Sequence, residues 1–330
     1  MRPIPTDAWL AAGFVLMWSS GFIGAVLGTA VAPAATLLTW RFVVVAVLFG
    51  VWWAMRRRRR ISVRDIALHA FIGLLSQGVY LSGVVWSAEY GVPAGTAALV
   101  TALQPIVVAV LAGPLLGERT RGRQWFGLLL GLGGVALVVG ADLTTPEAAP
   151  AVAYALPFLA MGGLVAATFT DRRMPTALPL ADSLLIQCSV SAVLFTGVAA
   201  ATGTLTVPTD GQFWLAVAWV VVLSTIGGYG SYWGLVRRGS LTRTSTLLYL
   251  TPPTTMLLAH LMFGEELSAY GLLGLAVCGG GVWLVLRSPG EMSVPGEMMS
   301  TCCSTTSSGR PRRSRPPGPA RPRSRHWPSC

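Results

Sequence analysis

The feature that most restricts the fold is a succession of apolar runs, each about as long as a membrane is thick, extending from residue 8 to residue 287. A helix crossing about 30 Å of hydrocarbon needs about 20 residues at about 1.5 Å of rise each. Ten runs reach that length, at 8–28, 34–54, 66–88, 92–114, 122–140, 150–170, 181–201, 212–235, 242–263 and 268–287. Backbone groups cannot go unpaired in lipid, and the period-two alternation of barrel strands is missing, so each run is predicted to be a helix. The prediction is an all-α integral membrane protein with ten transmembrane helices. Composition agrees, because 53% hydrophobic and 11% charged residues is far too apolar for a soluble domain.

Charge in the connections tests the number ten, since cytoplasmic loops hold the excess of positive residues. Even connections carry arginine: Arg56 to Arg60 and Arg64, then Arg119, Arg121 and Arg123, then Arg172 and Arg173, then Arg237, Arg238 and Arg243. Odd connections carry acids instead, among them Glu89, Asp142, Glu147, Asp210, Glu265 and Glu266. Both termini are therefore predicted to be cytoplasmic. The net charge of +11 is spread over short clusters between apolar runs, which fits topology and argues against a nucleic-acid partner.

A shift of 147 residues superposes the chain on itself. It aligns Gly83 with Gly230, Trp86 with Trp233, Pro105 with Pro252, Gly117-Glu118 with Gly264-Glu265, and Gly133-Gly134-Val135 with Gly280-Gly281-Val282. Residues 103–139 and their copies share 13 identities in 37 positions, too many for a leucine-rich composition alone. Each copy holds five helices, an odd number, so the second must enter the membrane from the opposite side. That inversion explains why Arg119, after the first Gly-Glu, is replaced by Glu266 after the second. Inverted repeats are a recurrent architecture of secondary transporters, with the site at the midplane between halves. The predicted units are 1–145 and 146–287, followed at 288–330 by a Pro/Arg/Ser-rich tail too polar to order itself and expected in the cytoplasm.

These features resemble a known group. "WSSGF" (18–22), "WRF" (40–42), "LQPIVVAVLAGPLLGER" (103–119), "GLLLGLGGVALVV" (127–139) and "LTPPTTMLLAHLMFGEEL" (250–267) look like the EamA-type branch of the drug/metabolite transporter superfamily. The resemblance covers about residues 8 to 287. It implies a secondary transporter of the bacterial inner membrane, exporting a small metabolite such as an amino acid, with helices one, three, four, six, eight and nine around the cavity. It also points to Trp18, Ser19, Phe22 and Trp40 as wall residues.

Arg41 is the most informative single residue, for it lies within the second helix with no other charge there. Burying Arg at membrane depth costs about 2.5–3.5 kcal/mol on insertion scales, so it should face a partner or a wet cavity. It either receives an anionic group or forms a structural pair, with Glu89 the nearest acid, or reaches to the outer surface. Gln77, Tyr80, Thr225 and Tyr229 are further polar and aromatic candidates in helices three and eight. In helices four and nine, Pro105 and Pro252-Pro253 are expected to interrupt the backbone, flanked by Thr101, Gln104, Tyr249 and Thr251. Glu118 and Glu265 end those helices and are candidates for gating. The glycines of helices five and ten read as close packing rather than as a site.

No catalytic or metal-ligating constellation is present, and neither cofactor nor metal is expected. His69 and His260 lie near helix ends; either could shuttle protons, since imidazole titrates near neutral pH, but a plain interfacial role is the simpler reading. A membrane sensor or receptor, or a membrane-embedded enzyme, stays open beside the transporter. The repeat already supplies both halves within one chain, so monomer and homodimer are both compatible with it.

Overall fold

A computed structural model describes residues 6–55, 61–116, 122–145, 148–174, 176, 178–228, 231, 247–265 and 268–286. The described residues are helical with short connections and contain no strand. In chain order they form α1 (Thr6–Thr29), α2 (Ala34–Met55), α3 (Val63–Gly73) continuing through a π-helical segment (Leu74–Val79) into α4 (Tyr80–Glu89), then α5 (Ala94–Thr101), α6 (Gln104–Leu116) and α7 (Gly122–Asp142). After a 3₁₀ turn (Ala151–Tyr154) come α8 (Ala155–Arg173), α9 (Leu180–Ala201), α10 (Gly211–Trp219) running into a second π-helical segment (Val220–Gly228), a 3₁₀ turn (Leu248–Leu250), α11 (Thr251–Phe263) and α12 (Ala269–Leu286).

Eight helices or continuous helix pairs among the described residues are long and apolar enough to cross a bilayer, from Trp9–Thr29 to Gly211–Gly228. They coincide with the first eight predicted spans. The ninth and tenth fall on α11 and α12, of which the Ala269–Gly281 stretch of α12 is a shorter apolar helix among the described residues. The large apolar residues left exposed, such as Trp125, Leu129, Leu215, Leu257 and Leu273, are those a bilayer would cover.

Helices from the two halves pack against each other in matched pairs. The most extensive pairing joins α7 to α12, followed by α2 with α9. The α7–α12 contact is built on glycine. A Cβ at Gly134 would lie 2.7 Å from the Gly274 carbonyl oxygen and one at Gly281 would lie 2.7 Å from that of Gly127. Chain order rises along α7 as it falls along α12, so the two helices run antiparallel. The close packing expected of these glycines is therefore observed, and it brings together positions related by the repeat.

The proline prediction needs correcting in its detail. The fourth predicted helix is interrupted at residues 102–103, between α5 and α6, and Pro105 sits in the first turn of α6. Pro252 and Pro253 likewise lie in the first turn of α11, after the 3₁₀ turn Leu248–Leu250. In the first turn the proline nitrogen has no hydrogen bond to lose, so these residues begin new helices instead of kinking old ones. The break itself precedes the proline in both halves, at equivalent positions under the 147-residue shift.

Candidate functional site

Two adjoining cavities lie among the described helices, sharing Trp18, Phe22, Tyr80 and Leu164 as a common wall. The larger, of about 70 Å³, is lined by Gly21, Arg41, Ser76, Gln77, Ser224 and Thr225 besides these. At one probe sphere per water it has room for roughly five waters. The smaller, of about 20 Å³, lies at the break between α5 and α6 and includes Thr101, Gln104, Pro105 and Thr251.

Arg41 is 6% exposed and is the only charged side chain in either wall among the described residues. Its Nη2 donates to Ser224 Oγ at 3.4 Å and to Thr225 Oγ1 at 3.3 Å. Its guanidinium carbon lies 5.7 Å from the Phe42 ring, which stacks on Phe195 at 5.6 Å. Glu89, the acid considered as its partner, accepts instead from the Ala34 amide at 3.0 Å and caps the start of α2. The two hydroxyls anchor the guanidinium in the cavity wall.

In the lining of the same cavity, Gln77 Nε2 donates to Gln187 Oε1 at 3.2 Å, and Cys188 Sγ donates to Gln77 Oε1 at 3.6 Å. Both polar groups rise from π-helical turns. Gln77 lies in Leu74–Val79, and Thr225, in Val220–Gly228, donates back to the Val220 carbonyl at 3.0 Å. A π-turn shifts the side chains that follow it around the helix, and such turns concentrate at functional sites.

Of the other predicted wall residues, Thr101 donates to the Ala97 and Ala98 carbonyls, both at 3.0 Å, and Gln104 Nε2 donates to Thr168 Oγ1 at 3.2 Å. Ser19 is buried and donates to the Thr251 carbonyl at 3.3 Å, tying α1 to the start of α11. Tyr249 packs on the cluster of Leu99, Val100 and Leu103. Trp40 is placed elsewhere: its indole donates to the Thr206 carbonyl at 2.8 Å and its ring meets Trp214 at 5.3 Å, beside the connection from α9 to α10. Tyr229 and Glu118 lie outside the described residues, as do the Arg56–Arg60 cluster and the tail.

Sequence reasoning missed Ser76, Ser224, Leu164 and Gln187. Ser76 and Ser224 adjoin named candidates, and Gln187 had a signal: the shared "AVLF" at 46–49 and 192–195 aligns it with Arg41.

A second polar group lies at the predicted outer ends. Gly264, at φ 71°, ends α11 in the left-handed conformation that favours glycine and turns the chain into Glu265. The Glu265 carboxylate accepts from the Ala94 amide in the first turn of α5, and Asp142 Oδ2 accepts from Thr96 Oγ1 at 2.6 Å in the same turn. Burial pushes the Glu265 carboxyl above the ordinary carboxylate range, the Asp142 charge adds to that rise, and the Ala94 hydrogen bond opposes it. His260 Nδ1 meets the Glu265 carbonyl at 2.8 Å.

Membrane-length helices, duplicated within one chain and closed around a small polar and aromatic cavity, define the class of membrane transporters with an internal repeat. Residues 7–140 and 152–287 each match the EamA-like transporter family. The chain belongs to that family. It is 27% identical over 299 residues to a probable terminal-alkyne amino-acid exporter of Streptantibioticus cattleyicolor, covering 87% of this chain and 97% of the relative. It is 26% identical to the inner membrane transporter YedA of Escherichia coli K12, over 79% of this chain and 84% of YedA, and 24% identical to a probable amino-acid metabolite efflux pump of the same strain, over 84% and 94%. A crystal structure with 22% identity superposes with a TM-score of 0.58 over 85% of this chain and 96% of that one, a likeness of fold.

Proposed function

We propose that this protein is a secondary carrier that moves a small metabolite such as an amino acid out across the bacterial inner membrane by alternating access. The observation that carries the reading is the buried Arg41 guanidinium in a cavity wall shared with Trp18, Phe22 and Tyr80. A carboxylate on the guanidinium, with an apolar group against the rings, satisfies both kinds of wall, and the names of the relatives point to the same chemistry. Residues 1–145 and 146–287 act as the two moving halves, with both termini and the 288–330 tail on the cytoplasmic side.

In this reading the helix interruptions before Pro105 and before Pro252 and Pro253 let the halves bend about the cavity. Glu265 acts as an outer latch, because its carboxylate joins the α11–α12 connection to the start of α5. Glu118 is assigned a matching gating part by the sequence repeat alone, and Tyr229 a wall position by the same kind of argument.

Counterflow in proteoliposomes with a panel of labelled amino acids tests the proposal. Accumulation of label driven by unlabelled substrate is the expected result. Ligand binding without any flux would favour a sensor or receptor instead.

A further inference from the structure

The smaller cavity is rich in hydrogen-bond acceptors. Two helices begin on it, α6 with Gln104 and Pro105 and α11 with Thr251. A helix start ordinarily offers free N–H groups and so favours an anion. Pro105, Pro252 and Pro253 stand in those first turns and carry no N–H. The carbonyls four residues before Pro105 and Pro252 belong to Thr101 and Leu248, which are repeat-equivalent and both line this cavity. Neither receives the usual helical hydrogen bond from its proline.

Side chains add further oxygens. Thr168 donates its hydroxyl hydrogen to the Leu164 carbonyl at 2.8 Å, so its oxygen must accept from Gln104. That fixes the Gln104 amide with Nε2 facing Thr168, leaving Oε1 as its acceptor. Thr101 spends its hydroxyl hydrogen on the Ala97 and Ala98 carbonyls and keeps lone pairs to accept with. Thr251 is 4% exposed, and its Oγ1 is buried without a hydrogen-bond partner. A buried hydroxyl left unpaired in a cavity wall calls for a ligand atom or a water.

We propose that Thr101, Gln104 and Thr251 form a subsite for a primary ammonium group of the substrate, whose remainder lies in the larger cavity beyond the shared rings of Trp18, Phe22 and Tyr80. This rests on the carrier reading of the same pair of cavities. At about 20 Å³ the smaller cavity holds one water-sized group. An ammonium is such a group and brings three N–H donors to the three side-chain oxygens. The wall shared by the two cavities makes the smaller one the end compartment for a ligand that spans both. An analogue without the amine leaves these acceptors buried and unpaired, and that is the source of discrimination.

The test uses the purified full-length protein and equilibrium binding of L-leucine and L-phenylalanine, each against its analogue without the amine, 4-methylpentanoate and 3-phenylpropanoate, followed by counterflow. Wild type should favour at least one amino acid over its analogue by roughly tenfold or more. Thr251→Val keeps the side chain's shape and strands no protein partner, so it should fold as wild type does while narrowing that ratio by roughly threefold or more. Should it fail to fold, Gln104→Met decides the matter, with the same narrowing expected. A ratio unmoved in these variants, or a wild type that binds neither amino acid or binds the analogues as tightly, would overturn the proposal. So would a loss equal for all four probes and seen in sodium buffer but not in choline buffer, which would give the oxygens to a metal ion. Ratios that move as expected in a protein without counterflow would count against the carrier reading and leave the ammonium assignment standing.

Discussion

Cys278 Sγ donates to the Gly131 carbonyl at 3.2 Å, and the two residues are 147 positions apart, the same interval that superposes one half of the chain on the other. Repeat-equivalent residues can touch only at the axis that relates the halves. The axis therefore passes through the α7–α12 crossing at this pair. Gly134 against Gly274 and Gly127 against Gly281 are the flanking contacts that it interchanges.

Glycine at that crossing is required by space. Gly134→Ala would set a methyl 2.6 Å from Cys278 Sγ and 2.7 Å from the Gly274 carbonyl, whereas the neighbouring Gly133 has nothing within 4 Å. Overpacking of this kind costs about 1–3 kcal/mol. Thermal unfolding in detergent should show Gly134→Ala clearly destabilised and Gly133→Ala within about 0.5 kcal/mol of wild type.

Arg41→Ala should weaken binding of a carboxylate substrate by roughly 10- to 100-fold. Hydrogen bonds to charged groups contribute about 1.5–3 kcal/mol, and 1.4 kcal/mol is a factor of ten. Arg41→Lys should recover part of the loss, since it keeps the charge but not the fork of donors. Titrating each variant with the substrate and with its decarboxylated amine checks the assignment, because the amine should lose little.

External pH should act through Glu265. Its carboxyl is raised in the latched state by burial and by Asp142, from a reference of 4.5. A group with a raised value binds protons more readily there than when solvated, so acid favours the latched state, and that advantage fades as pH rises through the raised value. Outward release should thus slow as external pH falls towards about 4.5 and quicken above the raised value. Glu265→Gln, always neutral and still able to accept from Ala94, should be slow and flat across that window. Efflux at stepped external pH measures it, and an unaltered pH profile in Glu265→Gln would dismiss the latch.

Single cysteines test the threading. Leu143→Cys and Val207→Cys, at exposed sites in odd connections, should react with an impermeant maleimide added outside intact cells. Arg64→Cys and Met174→Cys, in even connections, should react only after permeabilisation. Labelling of all four from one side would contradict the inverted arrangement.

Helix order was legible in the sequence because run length is fixed by membrane thickness and charge alternation by topology. The first eight predicted spans match the structure to within a few residues at most described ends. Arg41 was legible because a lone cation in an apolar run is costly. The position of the breaks was not, since proline marks where a helix begins as readily as where one bends, and only the observed turns at residues 102–103 and 248–250 separate the two. Trp40 was misleading for a similar reason: an aromatic near a helix end serves a loop as well as a cavity, and its indole found the Thr206 carbonyl. Gln187 was overlooked because its partner Gln77 lies on another helix, 110 residues away.

The paired π-turns carry an implication about ancestry. Leu74–Val79, moved forward by 147, falls on residues 221–226 within Val220–Gly228. An irregularity this uncommon, standing at matching points of two copies, is most simply inherited from a single gene of five helices that already had it. That ancestral product would have needed two molecules, inserted in opposite senses, to enclose any chamber. Fusion then freed each copy to change its chemistry alone, and the present chain keeps arginine on one side and glutamine on the other.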